Sequence, residues 1–374
     1  MSEPTPTYNK SMFLISNMYP SKKFPSFGIF VKNFEKGYLS NGGIISVKAV
    51  IDIIETKNWN KIFQYMKYYL EILYKGFFKR YDFIYVHYVA HNSFPVLILQ
   101  LILKKKVIIN IHGDDILPRT SFVKFLQHFV RHTIKRSKLI VVPSSFFKDV
   151  LLKKKYCDSS KIYISPSAGI NLGLFKPTPE SRAMWGISDT DLVIGFVSRI
   201  DLGKGWDIFL KCIKRLSDDT DLKIIALIVG SGLEVRAMQE MIMDLNLSEK
   251  IRYFNKIDHE KLPSIYCSMD IFVFPTTLDE SLGLAGIEAM ACGVPVVGSE
   301  IGGLKTYIIN DYNGYFFEPG NVDDLFSKII NFQKLGDDRK KEIIKNCIST
   351  AQKYDSKEVN KQLKSKVDHV LAYP

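Results

Sequence analysis

The sequence has no apolar segment long enough to cross a lipid bilayer. Its longest apolar runs, such as VLILQLIL at 96–103, reach about ten residues, whereas a membrane-spanning helix needs roughly 20. The N-terminal stretch MSEPTPTYNK lacks the apolar core of a secretory signal, and the next apolar run, MFLIS, is too short to supply one. We therefore expect a cytoplasmic protein that is not exported.

Cysteine is scarce, and its spacing fits neither a disulfide framework nor a zinc site. The five cysteines are an odd number, lie far apart and include no C-x-x-C pair; they are Cys157, Cys212, Cys267, Cys292 and Cys347. We expect reduced thiols in a protein core. The composition is otherwise that of a globular protein, with 46% hydrophobic and 24% charged residues, which excludes extensive disorder.

Acidic residues are scarce in the first half only. Residues 1–170 contain 26 Lys and Arg against 10 Asp and Glu, whereas the remainder contains 25 against 29. The net charge of +12 therefore comes from the first half. A basic surface of this kind suits nucleic acid, an acidic substrate or an anionic membrane, and charge alone does not choose among them.

Short β-branched segments alternate with helical patterns along most of the chain, which is typical of βαβ units around a parallel sheet. The chain is also longer than a single hydrophobic core usually supports. A linker rich in Gly and Pro follows residue 168. We predict an N-terminal domain at 1–170 and a C-terminal domain at 171–355. Both would be Rossmann-like with doubly wound parallel sheets, and the helix at about 356–374 would be long enough to pack back on the first domain.

The periodicity predicts six strands and four helices in each half, before two polar helices in 337–371. The predicted strands are 11–16, 44–51, 82–88, 106–111, 138–142, 161–165, 192–198, 222–229, 250–254, 270–275, 294–298 and 314–317. The predicted helices are 28–40, 58–79, 120–136, 144–155, 204–217, 232–244, 284–291 and 321–334.

The segment IFVFPTTLDESLGLAGIEAMACGVPVV carries two glutamates in a strand–loop–helix–strand pattern. Glu280 would lie at the carboxyl end of a strand, the edge where open α/β sheets bind ligands. The loop before the helix offers free amides for phosphate or sugar hydroxyls at Ser281, Leu282, Gly283 and Leu284. Glu288 would lie one turn into the helix, where its carboxylate can accept both ribose hydroxyls.

This acid pair, followed by Ala-Met-Ala-Cys-Gly-Val-Pro-Val-Val, resembles the signature of family 4 retaining glycosyltransferases. The resemblance implies the GT-B architecture, with two such domains facing an interdomain cleft. It also implies that Glu280 faces the donor sugar and that Glu288 binds the nucleotide ribose. An E-x7-E spacing alone is common among solvated helix-end acids, so the following apolar strand and Gly-Val-Pro carry the resemblance.

A second group of charges lies in VIGFVSRIDLGKGWD. Arg199 follows an apolar strand and Lys204 precedes the next helix, where two cations can neutralise a departing diphosphate. Family members carry Arg and Lys at this spacing in that role. The alternative is a pair of solvated loop cations.

Two other patterns in the C-terminal half are set aside: the Asp-Thr-Asp segments are interpreted as turns, and a Gly-Ser-Gly segment is not interpreted as a dinucleotide site. Asp-Thr-Asp occurs at 189–191 and 219–221, but each precedes a strand and so lies opposite the ligand-binding edge of a sheet, unlike the metal clamp of GT-A enzymes. Gly230-Ser231-Gly232 lacks the third glycine of a dinucleotide motif. We expect no cofactor and no metal requirement.

Three further segments follow the family pattern. His112, in VIINIHGDDIL, matches a histidine that approaches the donor sugar in many members; a lone histidine is otherwise more often structural. Gly28 matches a loop under the donor phosphates, although Phe27 replaces the first glycine of the frequent Gly-Gly form. Phe254 and Lys256 lie in a loop whose backbone holds the base, where Asn255 replaces the usual glycine.

The basic first half of the chain is the basis for predicting where the protein attaches and which acceptor it uses. KNWNKIFQYMKYYLEILYKGFFKR combines aromatics and lysines with one acid, a composition that suits a helix on an anionic membrane. The alternative is a core-packed helix with a solvated basic face. We expect peripheral attachment to the inner face of the membrane, a lipid-linked or soluble saccharide acceptor, and no nucleic-acid partner.

The sequence thus predicts a metal-independent, retaining glycosyltransferase that acts in bacterial surface polysaccharide biosynthesis, in lipopolysaccharide, capsule or exopolysaccharide. Its substrates would be a nucleotide-diphosphate sugar and a saccharide. The alternatives are a GT-B nucleotide-sugar epimerase or phosphorylase, a basic nucleic-acid-binding protein, and an inactive sugar-binding module.

Overall fold

The structure is a computed structural model that describes residues 10–25, 27–118, 120–178 and 181–372. The chain forms two compact units. The first unit contains the chain through Gly169 together with the final segment from Ser356, and the second unit is Ile170–Asp355.

The first unit is built on a parallel sheet of six strands. They are β1 (Ser11–Ser16), β2 (Ile44–Val50), β3 (Phe83–His87), β4 (Lys106–Asn110), β5 (Leu139–Val142) and β6 (Ile162–Ile164). Their order is β2-β1-β3-β4-β5-β6, so the winding reverses between β1 and β3. The connecting helices are α1 (Ile29–Ser40), α2 (Asn58–Phe78), α3 (Val89–Leu103), α4 (Ser121–Arg136) and α5 (Ser145–Lys153).

Helix α3 packs against both α2 and α4 and contains a proline in its interior. Pro95 has no amide hydrogen, so the carbonyl of His91, four residues earlier, has no donor within the helix. The Tyr69 hydroxyl on α2 donates to that carbonyl at 2.6 Å. A neighbouring helix therefore compensates for the bond that the proline removes.

The second unit has a second parallel six-stranded sheet. Its strands are β7 (Leu192–Val197), β8 (Ile224–Val229), β9 (Ile251–Phe254), β10 (Ile271–Phe274), β11 (Val296–Ser299) and β12 (Gly314–Phe317). Their order is β12-β11-β10-β7-β8-β9, with the reversal between β10 and β7. The helices are α6 (Ser181–Met184), α7 (Trp206–Asp219), α8 (Val235–Asp244), α9 (Leu262–Tyr266), α10 (Leu284–Ala291), α11 (Val322–Gln333) and α12 (Asp337–Gln352).

The central strands are continuous apolar runs because helices cover both faces of each sheet. β3, β5 and β10 are buried along their whole length, whereas the edge strands β6 and β9 contain no fully buried residue. The last helix, α13 (Ser356–Ala372), packs against α1 and adds Leu363, Val367 and Leu371 to the core of the first unit.

The predicted fold class is confirmed, because both halves are doubly wound parallel sheets flanked by helices. All 12 strands lie within about two residues of their predicted positions. The prediction missed α3, α6 and α9. No helix in the described ranges combines the length and the apolar character needed to cross a bilayer.

Candidate functional site

The candidate site in the second unit lies where the winding of the sheet reverses. β7 and β10 are hydrogen-bonded neighbours, yet their following connections run to opposite sides. Such a reversal leaves a crevice beyond the carboxyl ends of the two strands, where open α/β sheets bind ligands. The loops that border it, 198–205 and 275–283, carry Lys204 and Glu280.

Lys204 and Glu280 form an ion pair across this crevice. The lysine Nζ lies 2.6 Å from Oε1 of Glu280, and the two side chains are only 14% and 15% exposed. The Thr276 hydroxyl donates to the same Oε1 at 3.2 Å. Among the described residues, Oε2 of Glu280 has no hydrogen-bond partner. One carboxylate oxygen is thus held in place, and the other can accept a bond from a ligand hydroxyl.

The position of Lys204 depends on the glycine that follows it. Gly205 precedes α7 with φ 80°, and a Cβ there would lie 1.9 Å from the carbonyl oxygen of Pro275. Only glycine permits both this conformation and this approach. The loop after β7 therefore lies directly against the loop after β10, which brings Lys204 within reach of Glu280.

Helix α10 begins four residues after Glu280, so its first amides follow the loop that carries the ion pair. Gly283 precedes the helix and Leu284 is its first residue. The preceding loop is fixed by a bond from the Gly303 amide to the Glu280 carbonyl at 2.8 Å, and the Tyr307 hydroxyl donates to the Gly283 carbonyl at 3.0 Å. The first amides of a helix have no intrahelical acceptor and attract anions and hydroxyl oxygens.

Glu288 lies one turn into α10 in a largely apolar setting. The Tyr266 hydroxyl at the end of α9 donates to its Oε2 at 3.1 Å. Burial raises the pKa of Glu288 from 4.5 to about 7, although the bond from Tyr266 opposes the shift. Near pH 7 the acid and the carboxylate are therefore both populated, and hydroxyl donors from a ligand would stabilise the carboxylate.

Arg199 is separate from the Lys204–Glu280 pair. Its side chain is 71% exposed, and its guanidinium donates to Oδ2 of Asp201 at 2.7 Å. Asp201 is held in turn by the Leu233 amide, which donates to Oδ1 at 2.9 Å. Arg199 thus follows β7 as the sequence predicted, but with its charge at the rim.

Phe254 and Lys256 lie at the far edge of the same sheet. Phe254 ends the edge strand β9, and its ring packs against that of Trp185 with the ring centroids 5.1 Å apart. Lys256 is exposed. β9 is three strands from β10, which corresponds to about 14 Å. An extended ligand is needed to reach from Glu280 to this loop.

Both Asp-Thr-Asp segments lie at the amino ends of strands, as predicted. Asp189 and Asp191 precede β7, and the Asp191 carboxylate accepts the Ser188 amide at 3.0 Å in a local turn. Asp219 is the last residue of α7 rather than part of a turn, and it pairs with Arg215. A cavity of about 210 Å³ that includes the Asp189–Asp191 turn therefore lies opposite the crevice.

The first unit places His112 just beyond β4, in contact with His87 at the end of β3. Nδ1 of His87 lies 2.9 Å from Nε2 of His112. Burial lowers the pKa of His112 to about 3, and it also lowers the pKa of His87 well below 6.5. Both imidazoles are neutral at physiological pH.

Gly28 lies near this pair, at the start of α1. Its φ is 69°, and a Cβ would approach the Met18 carbonyl carbon to 2.5 Å, so a side chain is excluded. The ring of Phe30, two residues after Gly28, packs against the His112 ring, with the ring centroids 4.4 Å apart. The loop after β1 and the residue after β4 thus meet at the carboxyl edge of the sheet.

Three polar contributors were not predicted: Tyr266, Thr276 and His87. Tyr266 acts on Glu288 from another segment, so only the tertiary fold reveals it, whereas Thr276 lies four residues before Glu280 in the same loop. For His87 the sequence held one signal: it lies one residue before the end of the predicted strand 82–88, and polar residues at that end of a strand lie at the ligand-binding edge.

Two family models match the chain. One, described as glycosyl transferases group 1, matches residues 177–350, and the other, glycosyltransferase family 4, matches residues 37–168. Together they span parts of both units.

Curated relatives resemble parts of the chain. A D-inositol 3-phosphate glycosyltransferase from Mycobacteroides abscessus is 29% identical over 197 residues, covering 52% of this chain and 44% of the relative. A GDP-mannose-dependent alpha-(1-6)-phosphatidylinositol monomannoside mannosyltransferase from Mycolicibacterium smegmatis is 30% identical over 174 residues, covering 43% and 44%. The chain matches less than half the length of either relative.

Solved structures share the whole architecture at low identity. Sucrose-phosphate synthase from Thermosynechococcus elongatus superposes with a TM-score of 0.81 at 18% identity, over 98% of this chain and 100% of that one. HepE from Anabaena in complex with UDP gives 0.74 at 19% identity, over 96% and 100%. At these identities the likeness establishes the fold.

Proposed function

We propose that this chain, which belongs to glycosyltransferase family 4 and has the GT-B fold, transfers a sugar from a nucleotide-diphosphate sugar to a hydroxyl of a saccharide acceptor. The observation that carries the proposal is the Lys204–Glu280 pair at the point where the second sheet reverses its winding. The pair places a cation, and a carboxylate that can accept hydrogen bonds, beside the start of α10. HepE is a structural neighbour solved with UDP-glucose, at 17% identity, which supports a donor of this class.

The donor occupies this crevice in an extended form. The diphosphate lies near Lys204 and Arg199, the ribose hydroxyls donate to Glu288, and the sugar hydroxyls contact Glu280 and the amides of α10. The base reaches toward Phe254 and Lys256. The family resemblance also assigns His112 and Gly28 of the first unit to donor binding, and this assignment stays a prediction.

We further propose that transfer retains the anomeric configuration and needs no metal. The bond from the anomeric carbon to the diphosphate oxygen breaks, the acceptor oxygen bonds to the same face, and the acceptor proton passes to the leaving phosphate. Lys204 and Arg199 neutralise the charge that develops on the diphosphate. No residue is assigned as a general base.

We propose that the acceptor is a lipid-linked saccharide and that the protein binds it at the inner face of the cytoplasmic membrane. The reaction would belong to bacterial surface polysaccharide biosynthesis. Helix α2 supports the membrane proposal, because few of its residues are buried and many of its exposed residues are apolar. Tyr68, Ile72 and Gly76 are buried. Trp59, Phe63 and Leu70 are 77%, 70% and 66% exposed.

The apolar surface continues from α2 onto its neighbours. Phe94 and Ile102 on α3, and Phe122 and Phe125 on α4, are also exposed. Exposed apolar residues this numerous mark an interaction surface. Lysines flank it, including Lys57, Lys61 and Lys67. A core-packed helix with a solvated basic face does not have these exposed aromatics, so an anionic bilayer is the partner that fits both features.

We expect the double substitution Phe63→Ser and Leu70→Ser to lower binding to anionic vesicles about tenfold, because it removes two apolar anchors from α2. Flotation with vesicles containing phosphatidylglycerol measures the change, and raising the salt should weaken binding of the unchanged protein. Leu233→Ser is the matched control, since Leu233 is 96% exposed in the second unit. Equal flotation of all three proteins, or binding insensitive to salt, would contradict the membrane proposal.

The transfer reaction is tested by following release of the nucleoside diphosphate from a panel of nucleotide sugars. We expect release to depend on an added saccharide or lipid-linked saccharide and the product to keep the donor's anomeric configuration, as read by NMR. Turnover should persist in EDTA. An epimerase would convert the donor without an acceptor, and a phosphorylase would require phosphate. A nucleic-acid-binding protein would give salt-dependent retention of labelled DNA or RNA on filters and no turnover.

Glu288 should make donor affinity depend on pH. The carboxylate accepts both ribose hydroxyls, and its pKa in the free protein is about 7, so affinity should rise with pH and level off above that value. Between pH 8 and pH 6 we expect about a tenfold loss. Calorimetry with an intact nucleotide sugar measures it, since the phosphates of that donor do not titrate in this range. Glu288→Gln should bind weakly at both pH values.

The same shift has a consequence for stability. Folding raises the Glu288 pKa from 4.5 to about 7, so the folded state holds the proton longer than the unfolded chain. The contribution of Glu288 to the free energy of unfolding therefore falls as the pH rises from 4.5 to about 7.

Unchanged donor affinity in Glu288→Ala would contradict the ribose assignment.

A further inference from the structure

The contact between His87 and His112 contains a single proton. Both imidazoles are neutral at physiological pH, and Nδ1 of His87 lies 2.9 Å from Nε2 of His112. One nitrogen must donate and the other must accept. The tautomers of the two rings are therefore coupled: whichever nitrogen holds the proton here decides what His112 presents on its other side.

The surroundings of His87 distinguish the two arrangements. The residue is fully buried, and its Nε2 has no hydrogen-bond partner in the described part of the chain. The rings of Phe34 and Tyr85 lie 4.7 and 5.2 Å from its centroid. If His112 were the donor, His87 would have to carry a buried, unpaired N–H on Nε2. Unpaired buried N–H groups are rarer in proteins than under-satisfied acceptors.

We propose that His87 is a positioning residue whose Nδ1–H donates to Nε2 of His112 and fixes His112 as the Nδ1–H tautomer. His112 then presents a neutral hydrogen-bond donor, and neither of its nitrogens is free to act as a base. This deepens the proposed function, in which the Nδ1–H of His112 is available to a sugar hydroxyl oxygen. The effect on turnover rests on that function, whereas the tautomer does not.

The neighbouring groups hold both rings in place. The His112 ring packs against Phe30, with ring centroids 4.4 Å apart, and stacks with Tyr88, with centroids 5.0 Å apart. Asn92 donates to the carbonyl of His87 at 2.9 Å and is itself held by the Tyr68 hydroxyl. The Asp115 carboxylate accepts the Gly113 amide at 2.8 Å and fixes the turn after His112. Rotation of either ring would break contacts from several elements.

The tautomer is measured on the whole protein without any substrate. Histidine labelled with ¹⁵N shows by NMR which nitrogen is protonated, and His112→Asn assigns the signals. We expect His112 to be protonated on Nδ1 and unprotonated on Nε2. Protonation of His112 on Nε2 would overturn the proposal. The NMR measurement does not depend on activity, so it tests the tautomer even if the transferase assay shows no turnover.

Substitution separates positioning from packing. His87→Phe keeps a ring but removes the donor, so His112 should lose its fixed tautomer and turnover should fall about tenfold. Affinity for UDP or GDP, which contact the second unit, should not change. His87→Asn restores an amide donor near the Nδ1 position, and it should recover the tautomer and most of the turnover.

His128→Phe is the control, because His128 is exposed on α4 and should alter neither readout. A His87→Phe variant that retains the His112 tautomer would contradict the proposal. So would a His87→Asn variant that folds but behaves like His87→Phe. If His87→Phe does not fold, the spectrum of the unchanged protein decides alone.

Discussion

Replacing Lys204 by alanine is expected to reduce turnover about 100- to 1,000-fold, because it removes the partly buried cation that is proposed to neutralise the diphosphate. The substitution also leaves Glu280, only 15% exposed, without its ionic partner. Steady-state kinetics with a nucleotide-sugar donor measure the loss. Lys211→Ala is the matched control: Lys211 lies on α7, is half-exposed and pairs with Asp207 at 3.4 Å, so its loss should change turnover less than about twofold.

A double substitution distinguishes catalysis from structure at this pair. Lys204→Met with Glu280→Gln removes both charges while keeping their approximate volume, and it avoids an unpaired charge. If the pair only stabilises the crevice, the double variant should fold and regain turnover. We expect it to fold with a melting temperature near that of the original protein and to remain inactive. Recovery of turnover to within tenfold would refute the proposed role of Lys204.

The fold could be predicted from the sequence because its pattern is local. Strands such as LVIGFV and IIALIV are buried on both faces and therefore read as continuous apolar runs between helical segments. Helix α3 was missed because it packs against helices on two sides. Its apolar residues do not form one stripe, and Pro95 looks like a helix terminator until Tyr69 is seen to satisfy the His91 carbonyl.

The candidate site could be predicted only in part. Strand ends predicted that Lys204 and Glu280 would share an edge, but not that they would pair, because pairing depends on the order of the strands. Arg199 shared the same signal and lies at the rim, paired with Asp201. The raised pKa of Glu288 and the coupling of His87 to His112 depend on burial by distant segments, which spacing along the chain does not encode.

The second large effect is expected at Gly205. Gly205→Ala should lower the free energy of unfolding of the second unit by about 2 to 4 kcal/mol, because it combines an unfavourable φ with a clash against backbone. The new Cβ would lie 1.9 Å from the Pro275 carbonyl oxygen, which cannot move without displacing the loop that carries Glu280. Thermal unfolding followed by circular dichroism should show a shift of about 5 to 15 °C.

Gly320→Ala isolates the backbone contribution. Gly320 has φ 84°, close to the 80° of Gly205, but nothing lies within 4 Å of a Cβ built there. Its substitution should cost only about 1 to 2 kcal/mol, the ordinary penalty for a left-handed residue. The difference between the two variants measures the close approach of the two loops, and donor affinity should fall in Gly205→Ala alone because only that loop positions Lys204. Equal destabilisation by both substitutions would mean that the loops are not in contact, and the Lys204–Glu280 geometry would then lose its structural basis.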